Sequence, residues 1–120
     1  MILLNFSSKF HTIQFDQFKA LTSLEITEQV MLPTDIGSDD AVEELLDSLF
    51  KKAKLTEEEL KSGQLVVHLP PQTNRALKVL AYVARRAGKL PLAIRTSVPT
   101  FALSSGPTIM EVLDLEKMLR

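Results

Sequence analysis

The chain has no cysteine, which excludes disulfides and metal sites built on thiolates. No apolar run approaches the roughly 20 residues that a membrane span needs. The opening MILLNFSSKF lacks a basic leader region, and its apolar run is too short for a signal peptide; the expected location is cytoplasmic. Charge of one sign is also missing. Lysine plus arginine number 14 against 15 acids, for a net charge of −1, so the surface as a whole is not built to grip duplex nucleic acid. A local positive site stays open. Neither G-x-G-x-x-G nor a Walker A lysine motif occurs, and no serine sits on a nucleophile-elbow motif. His11 and His68 lie far apart with no carboxylate at a fixed offset to either. No metal and no cofactor is expected. Internal repeats and low-complexity tracts are absent too.

What is present suits one ordinary globular domain spanning residues 1–120, with 45% hydrophobic and 24% charged residues. Its most informative stretch is Gln64–Gly88. A short apolar run, Leu65-Val66-Val67, enters a polar turn, His68-Leu69-Pro70-Pro71-Gln72-Thr73-Asn74. A helical pattern then runs from about Arg75 to Ala87, with Ala76, Leu77, Leu80, Val83, Ala84 and Ala87 as the apolar stripe. Gly88 stands where a left-handed C-cap belongs. A buried strand, a turn and a helix start in that order set unpaired N–H groups where a phosphate could sit.

Met1–Phe6 reads as a buried strand. Thr12 is positioned to cap a helix carrying Phe15, Phe18 and Leu21. Glu25–Leu32 is polar enough for an edge strand, and Pro33–Gly37 is loop. Ser38-Asp39-Asp40 caps a helix with Val42, Leu45, Leu46, Leu49 and Phe50 on one face. Thr56-x-x-Glu59 is a capping box for a short helix ending near Gly63. Leu92–Val98 and Thr108–Leu113 read as strands joined by a hairpin-type loop, Pro99–Pro107, and Asp114–Arg120 as a short helix. The order β-α-β-α-(α)-β-α-β-β predicts an α/β domain. Its five-stranded sheet is mostly parallel, in order 2-1-3-4-5, with the last strand antiparallel and helices on both faces. The Gln64–His68 strand is at the centre. Strand order reverses between the first and third strands, so the loops after Asn5 and His68 should face each other across one crevice.

The candidate site residues follow from that crevice, each with a plainer alternative. Asn5, Ser7 and Ser8 can bond phosphate or base edges, or simply end the strand and cap its turn. His68 can contact a base or accept a proton near neutral pH, or be a satisfied strand-end histidine. Pro70 and Pro71 rigidify the turn. Gln72, Thr73 and Asn74 can cap the helix or share their N–H groups with an anion. Arg95 can supply the site's positive charge or pair across strands with Glu111. Arg85, Arg86 and Lys89 complement a helix C-terminus.

Together, MILLNFS, HLPPQTNRALKVLA, AGKLPLAIR and the terminal EVLDL resemble a small family of CRISPR-associated, CARF-like proteins encoded beside type III systems. The resemblance spans nearly the whole chain. It implies a single Rossmann-like domain, usually dimeric, associated with cyclic oligoadenylate, the second messenger of that antiviral defence. Relatives bind the ring or linearise it as ring nucleases. The family pattern has asparagine before the double proline where this chain has His68. Site roles therefore carry over to Asn5, Ser7 and the backbone after Pro71. A symmetric ring of four adenylates suits two copies of a small site around a two-fold axis. Cleavage would need no metal, since the ribose 2′-hydroxyl can attack its neighbouring phosphate in line. The thin polar inventory favours binding and sequestration, with slow or no cleavage, over turnover. Outside the resemblance, a nucleotide-handling enzyme of flavodoxin-like architecture and a structural interaction domain without ligand stay open.

Overall fold

A computed structural model of the chain describes residues 1–6, 15–34, 39–62, 64–70, 72–97 and 108–118. The strands are β1 (Ile2–Asn5), β2 (Glu28–Met31), β3 (Leu65–His68), β4 (Leu92–Ser97) and β5 (Thr108–Asp114). The helices are α1 (Phe15–Thr22), α2 (Val42–Lys52), α3 (Glu57–Lys61), α4 (Thr73–Ala87) and α5 (Leu115–Met118). Among the described residues the strands form a single five-stranded sheet, in order β2-β1-β3-β4-β5. β1 pairs in parallel with β2 and β3, β3 in parallel with β4, and β4 antiparallel with β5. This is the expected topology. β3 is central because all four of its residues are buried, which only a strand covered on both faces tolerates. β2, Glu-Gln-Val-Met, is wholly or partly exposed along its length and takes the edge.

Alternation along the strands divides the interior in two. Leu4, Phe6, Leu65, Val67 and Ala93 point into a larger core with Val42, Leu46 and Phe50 of α2, Leu60 of α3 and Val79, Tyr82 and Val83 of α4. Leu3, Val66 and Ile94 point the other way, against Phe18 of α1 and Ile26. On the larger side, Phe50 packs flat against Phe6 and edge-on to Tyr82, with ring centroids 6.2 and 5.0 Å apart. Polar bonds lace the helices over it. The Tyr82 hydroxyl donates to Asp47 at 2.6 Å, Arg85 bonds Glu43 of α2 at 2.8 Å, and Arg86 bonds Glu57 of α3 at 2.9 Å. Arg85 and Arg86 thus occupy the last turn of α4 as expected, and also tie it to two neighbours.

Helix ends follow local chemistry in most places. The Thr56/Glu59 capping box forms, with Glu59 N–H donating to Thr56 Oγ1 and Thr56 N–H to Glu59 Oε1, each at 3.1 Å. Gly88 closes α4 at φ 79°, its N–H donating to the Ala84 carbonyl at 2.8 Å. Three expectations are corrected. A single turn of 3-10 helix, Asp39–Ala41, precedes α2, whose N-cap is Ala41 with no side-chain cap bond. The helix therefore starts later than a Ser38-Asp39-Asp40 cap would place it; Ser38 lies outside the described residues. On α1 only Phe18 is buried, while Phe15 is 36% and Leu21 53% exposed. Steps of three residues drift by about 60° at 3.6 residues per turn, so the middle member meets the sheet and the outer two flank it. On α4 the buried positions are Arg75, Val79, Tyr82, Val83 and Ala87, and Leu77 is 61% exposed. Tyr82, anchored by Asp47 and Phe50, and Arg75, turned inward, rotate the helix away from the stripe that aliphatic residues alone suggest.

Candidate functional site

The switch point of the sheet falls between β1 and β3, where Asn5 and His68 are register partners at the carboxyl ends of adjacent parallel strands. Both are nearly inaccessible, at 0% and 6% exposure. Their side chains lie on the α1 side of the sheet, by alternation with Leu3 and Val66. Asn5 Oδ1 lies 3.1 Å from His68 Nδ1. The Asn5 amide also donates through Nδ2 to Gln29 Oε1 at 2.8 Å. Gln29 stands opposite Leu3 on β2. Three strands thereby contribute one polar chain, Gln29–Asn5–His68, at the carboxyl end of the sheet. Asn5, Gln29 and His68 each have further interactions. Among the described residues no buried side-chain nitrogen or oxygen lacks a partner.

The backbone carries the ladder past the strand ends. Phe6 N–H donates to the His68 carbonyl at 2.9 Å and Leu32 N–H to the Asn5 carbonyl at 2.8 Å. Thr34, fully buried, donates its hydroxyl to the Phe6 carbonyl at 2.9 Å. The Thr34 carbonyl accepts in turn from Arg75 Nη1. Arg75 is only 7% exposed, although it lies in the first turn of α4, which contains no acid. A cation at the positive pole of a helix is unfavourable there. Its burial therefore requires good acceptors, and the chain end beyond β2 supplies one.

Pro70 is buried, and Leu69 packs against the larger core. Gln72, Thr73 and Asn74 are exposed. Gln72 is the N-cap residue, in extended conformation at φ −75° and ψ 124°, and its side chain makes no cap bond. The first turn of α4 thus starts without a side-chain cap bond from Gln72, and the helix packs on the larger-core face of the sheet, opposite the Asn5 and His68 side chains. Ser7, Ser8 and Pro71 lie outside the described residues, as does His11.

Arg95 has the cross-strand geometry. Its Nε donates to Glu111 Oε1 at 2.5 Å, with the two side chains 57% and 45% exposed, and the residues are register partners on β4 and β5. Alternation sets Arg95 on the face of Ala93, opposite that of Ile94, Asn5 and His68. The structure therefore joins Asn5 to His68 and leaves Arg95 apart from them. Arg75 and Gln29, both passed over by the sequence reading, frame the switch point instead. An arginine in an acid-free first helix turn was the available signal for Arg75; Gln29, between an exposed Glu28 and a half-buried Val30 on the edge strand, gave none.

Elsewhere, a cavity of about 300 Å³ opens at the amino ends of the strands, lined by Leu65, Ala87, Leu90, Leu92, Asp114 and Glu116 among others. It shares no residue with the switch point. Its rim is fixed by the Leu90 N–H, which donates to Glu116 Oε1 at 2.8 Å. Among the described residues no cluster of three or more His, Asp or Glu side chains could hold a metal ion, and no helix is long and apolar enough to cross a membrane. No protein-family model, curated protein or solved structure matches the chain.

Proposed function

We propose that this protein binds a cyclic oligoadenylate, foremost the four-membered ring, and lowers its free concentration by sequestration with slow or no cleavage. The reading places it in type III CRISPR antiviral defence, in the cytoplasm, as a homodimer or higher homo-oligomer around the ligand. The observation that carries it is the meeting of Asn5 and His68 at the switch point of the sheet, where β3 runs on toward the start of α4. Open α/β sheets bind their ligands in that crevice. Sequence resemblance supplies the ligand class. In this reading Ser7 contacts ribose or phosphate, the N–H groups of Gln72, Thr73 and Asn74 receive a phosphate, and the buried Asn5 supports the site through its contact with His68. Two copies of the Asn5–Ser8 and His68–Asn74 loops, related by a two-fold axis, would meet one symmetric ring.

The buried imidazole favours a second reading. A ring nuclease needs a proton acceptor near the ribose 2′-hydroxyl, and His68 is the candidate catalytic residue. One experiment separates the readings. The protein is mixed with labelled cyclic tetra-adenylate, followed by native electrophoresis and chromatography of the nucleotide. A shifted complex that returns intact ring supports sequestration, and linear product supports the nuclease. An unshifted ring refutes both and leaves an interaction domain. Light scattering that shows a monomer with and without the ring would refute the dimeric arrangement.

A further inference from the structure

We propose that the cavity at the amino ends of the strands is a ligand site of its own, and that it takes a free amino acid with an apolar side chain. The proposal does not rest on ring binding, since the cavity shares no residue with the switch point. Its walls are Leu60, Leu65, Ala87, Pro91 and Leu92, and its rim carries Lys89, Asp114 and Glu116. Leu60, Leu65 and Ala87 belong to the larger core, so the hollow reaches the edge of that core. Folded interiors are close-packed, and voids much larger than a water are few. This one, at about 300 Å³, stands at the lower end of small-molecule pockets and has about twice the volume of a cavity that takes benzene. It admits a ligand of roughly ten non-hydrogen atoms, with its apolar part toward Leu60 and Leu65.

The rim decides the head group. Each carboxylate uses one oxygen within the fold. Glu116 Oε1 accepts from the Leu90 N–H at 2.8 Å, and Asp114 Oδ1 accepts from the Lys117 N–H at 3.0 Å. These bonds hold both side chains at the mouth, and among the described residues the second oxygen of each has no protein donor. Lys89 lies just beyond the Gly88 cap of α4. Among the described residues it pairs with no carboxylate within 4.0 Å.

Charges of both signs therefore line one mouth without neutralising each other. A ligand with an ammonium and a carboxylate on one carbon answers both. Its ammonium donates to the second oxygens of Glu116 and Asp114, and its carboxylate accepts from Lys89. An amine alone would leave Lys89 unanswered, an acid alone would leave the two carboxylates so, and a neutral apolar molecule would leave all three. The side chain of the amino acid then covers the leucines of the wall, where each buried carbon favours binding by up to about fourfold.

Proton–nitrogen NMR titration of the full chain tests this. The probes are leucine, 4-methylpentanoate, which lacks the ammonium, and 3-methylbutylamine, which lacks the carboxylate. Leucine is expected to shift the backbone amides of Leu90, Leu92 and Glu116 and to leave that of His68 in place. Both analogues are expected to bind at least about threefold more weakly, and alanine more weakly than leucine as well. Two variants assign the charges. Lys89→Met keeps the stem and loses the ammonium, while Glu116→Gln keeps an oxygen for the Leu90 N–H and loses the charge. Lys89 is exposed and Glu116 half-buried, so both variants are expected to fold. Lys89→Met should bring leucine and 3-methylbutylamine to like affinity, and Glu116→Gln should narrow the gap between leucine and 4-methylpentanoate. An absence of shifts at the cavity amides with leucine, methionine and phenylalanine, each up to about 10 mM, overturns the proposal. So does either analogue binding the wild type as well as leucine does, or an unchanged preference in both variants. Shifts at these amides that follow protein concentration alone would assign the cavity to a second copy of the chain and overturn it equally.

Discussion

Two arginines stand near the carboxyl end of the sheet, and the structure assigns them unequal weight. Replacing Arg75 by leucine keeps much of the side-chain volume but removes a buried guanidinium that donates to the Thr34 carbonyl. A hydrogen bond to a charged group contributes about 1.5–3 kcal/mol, and stranding a buried acceptor costs about 1–3 kcal/mol. These overlap rather than add, so Arg75→Leu is expected to lose about 2–4 kcal/mol. For a chain of 120 residues, an unfolding entropy of roughly 2.1 cal/mol/K per residue makes each kcal/mol worth about 4 °C in Tm. The expected fall is therefore about 8–16 °C. Arg95→Ala breaks a pair whose side chains are 57% and 45% exposed. Exposed ion pairs contribute about 0–1 kcal/mol, so its Tm should drop by no more than about 4 °C. Urea unfolding with an unchanged m-value is the assay, since a changed m-value would signal a different denatured state. A loss in Arg75→Leu below about 0.5 kcal/mol, or a larger loss in Arg95→Ala, would refute this weighting of burial over ion pairing. Ring affinity should survive Arg95→Ala, because that side chain is paired across strands with Glu111.

Gly88→Ala forces a non-glycine residue to φ 79° with nothing within 4 Å of the new methyl. The cost is conformational only, about 1–2 kcal/mol, and a loss above about 3 kcal/mol in urea would mean a steric clash instead. Thr56→Ala removes the hydroxyl half of the capping box while the backbone N–H of residue 56 can still donate to Glu59, and should cost about 0.5–2 kcal/mol; an unchanged midpoint would show that the hydroxyl cap does not hold α3. Burial, and secondarily the bond to Asp47, raises the Tyr82 phenol above its ordinary pKa near 10. A raised folded pKa gives stability that is whole below about pH 10 and lost as pH climbs through the folded value. Tyr82→Phe should therefore show a shallower alkaline fall in Tm than the wild type, and parallel curves would contradict the assignment.

Topology was legible because its signals are redundant. Leu65-Val66-Val67 is too apolar for an edge and too short for a helix, and it stands between two strong helical patterns. Strand order then follows from handed crossovers. Helix rotation was harder to read. Counting aliphatic residues on α4 omits Tyr82, whose ring is core while its hydroxyl bonds Asp47, and Arg75, whose stem and head are both inside. The start of α2 was misplaced because Ser-Asp-Asp is an equally good opening for the 3-10 turn that precedes it. For the site, the facing of Asn5 and His68 followed from the reversal of strand order alone. Gln29 did not, because on an edge strand a glutamine looks like any solvated residue until the amide beside it is seen to need a partner. Arg95 offered two roles on equal terms, and only the register with Glu111 separates them.

The antiparallel run of β5 has a practical consequence. It brings Asp114 back beside Leu92, so α5 sits at the amino end of the sheet and Met118, 66% exposed, stands at the end away from His68. These 120 residues hold no cysteine. Met118→Cys would thus give a single thiol through which the molecule could be anchored to a sensor surface or carry one dye, leaving the Asn5–His68 end facing the solution.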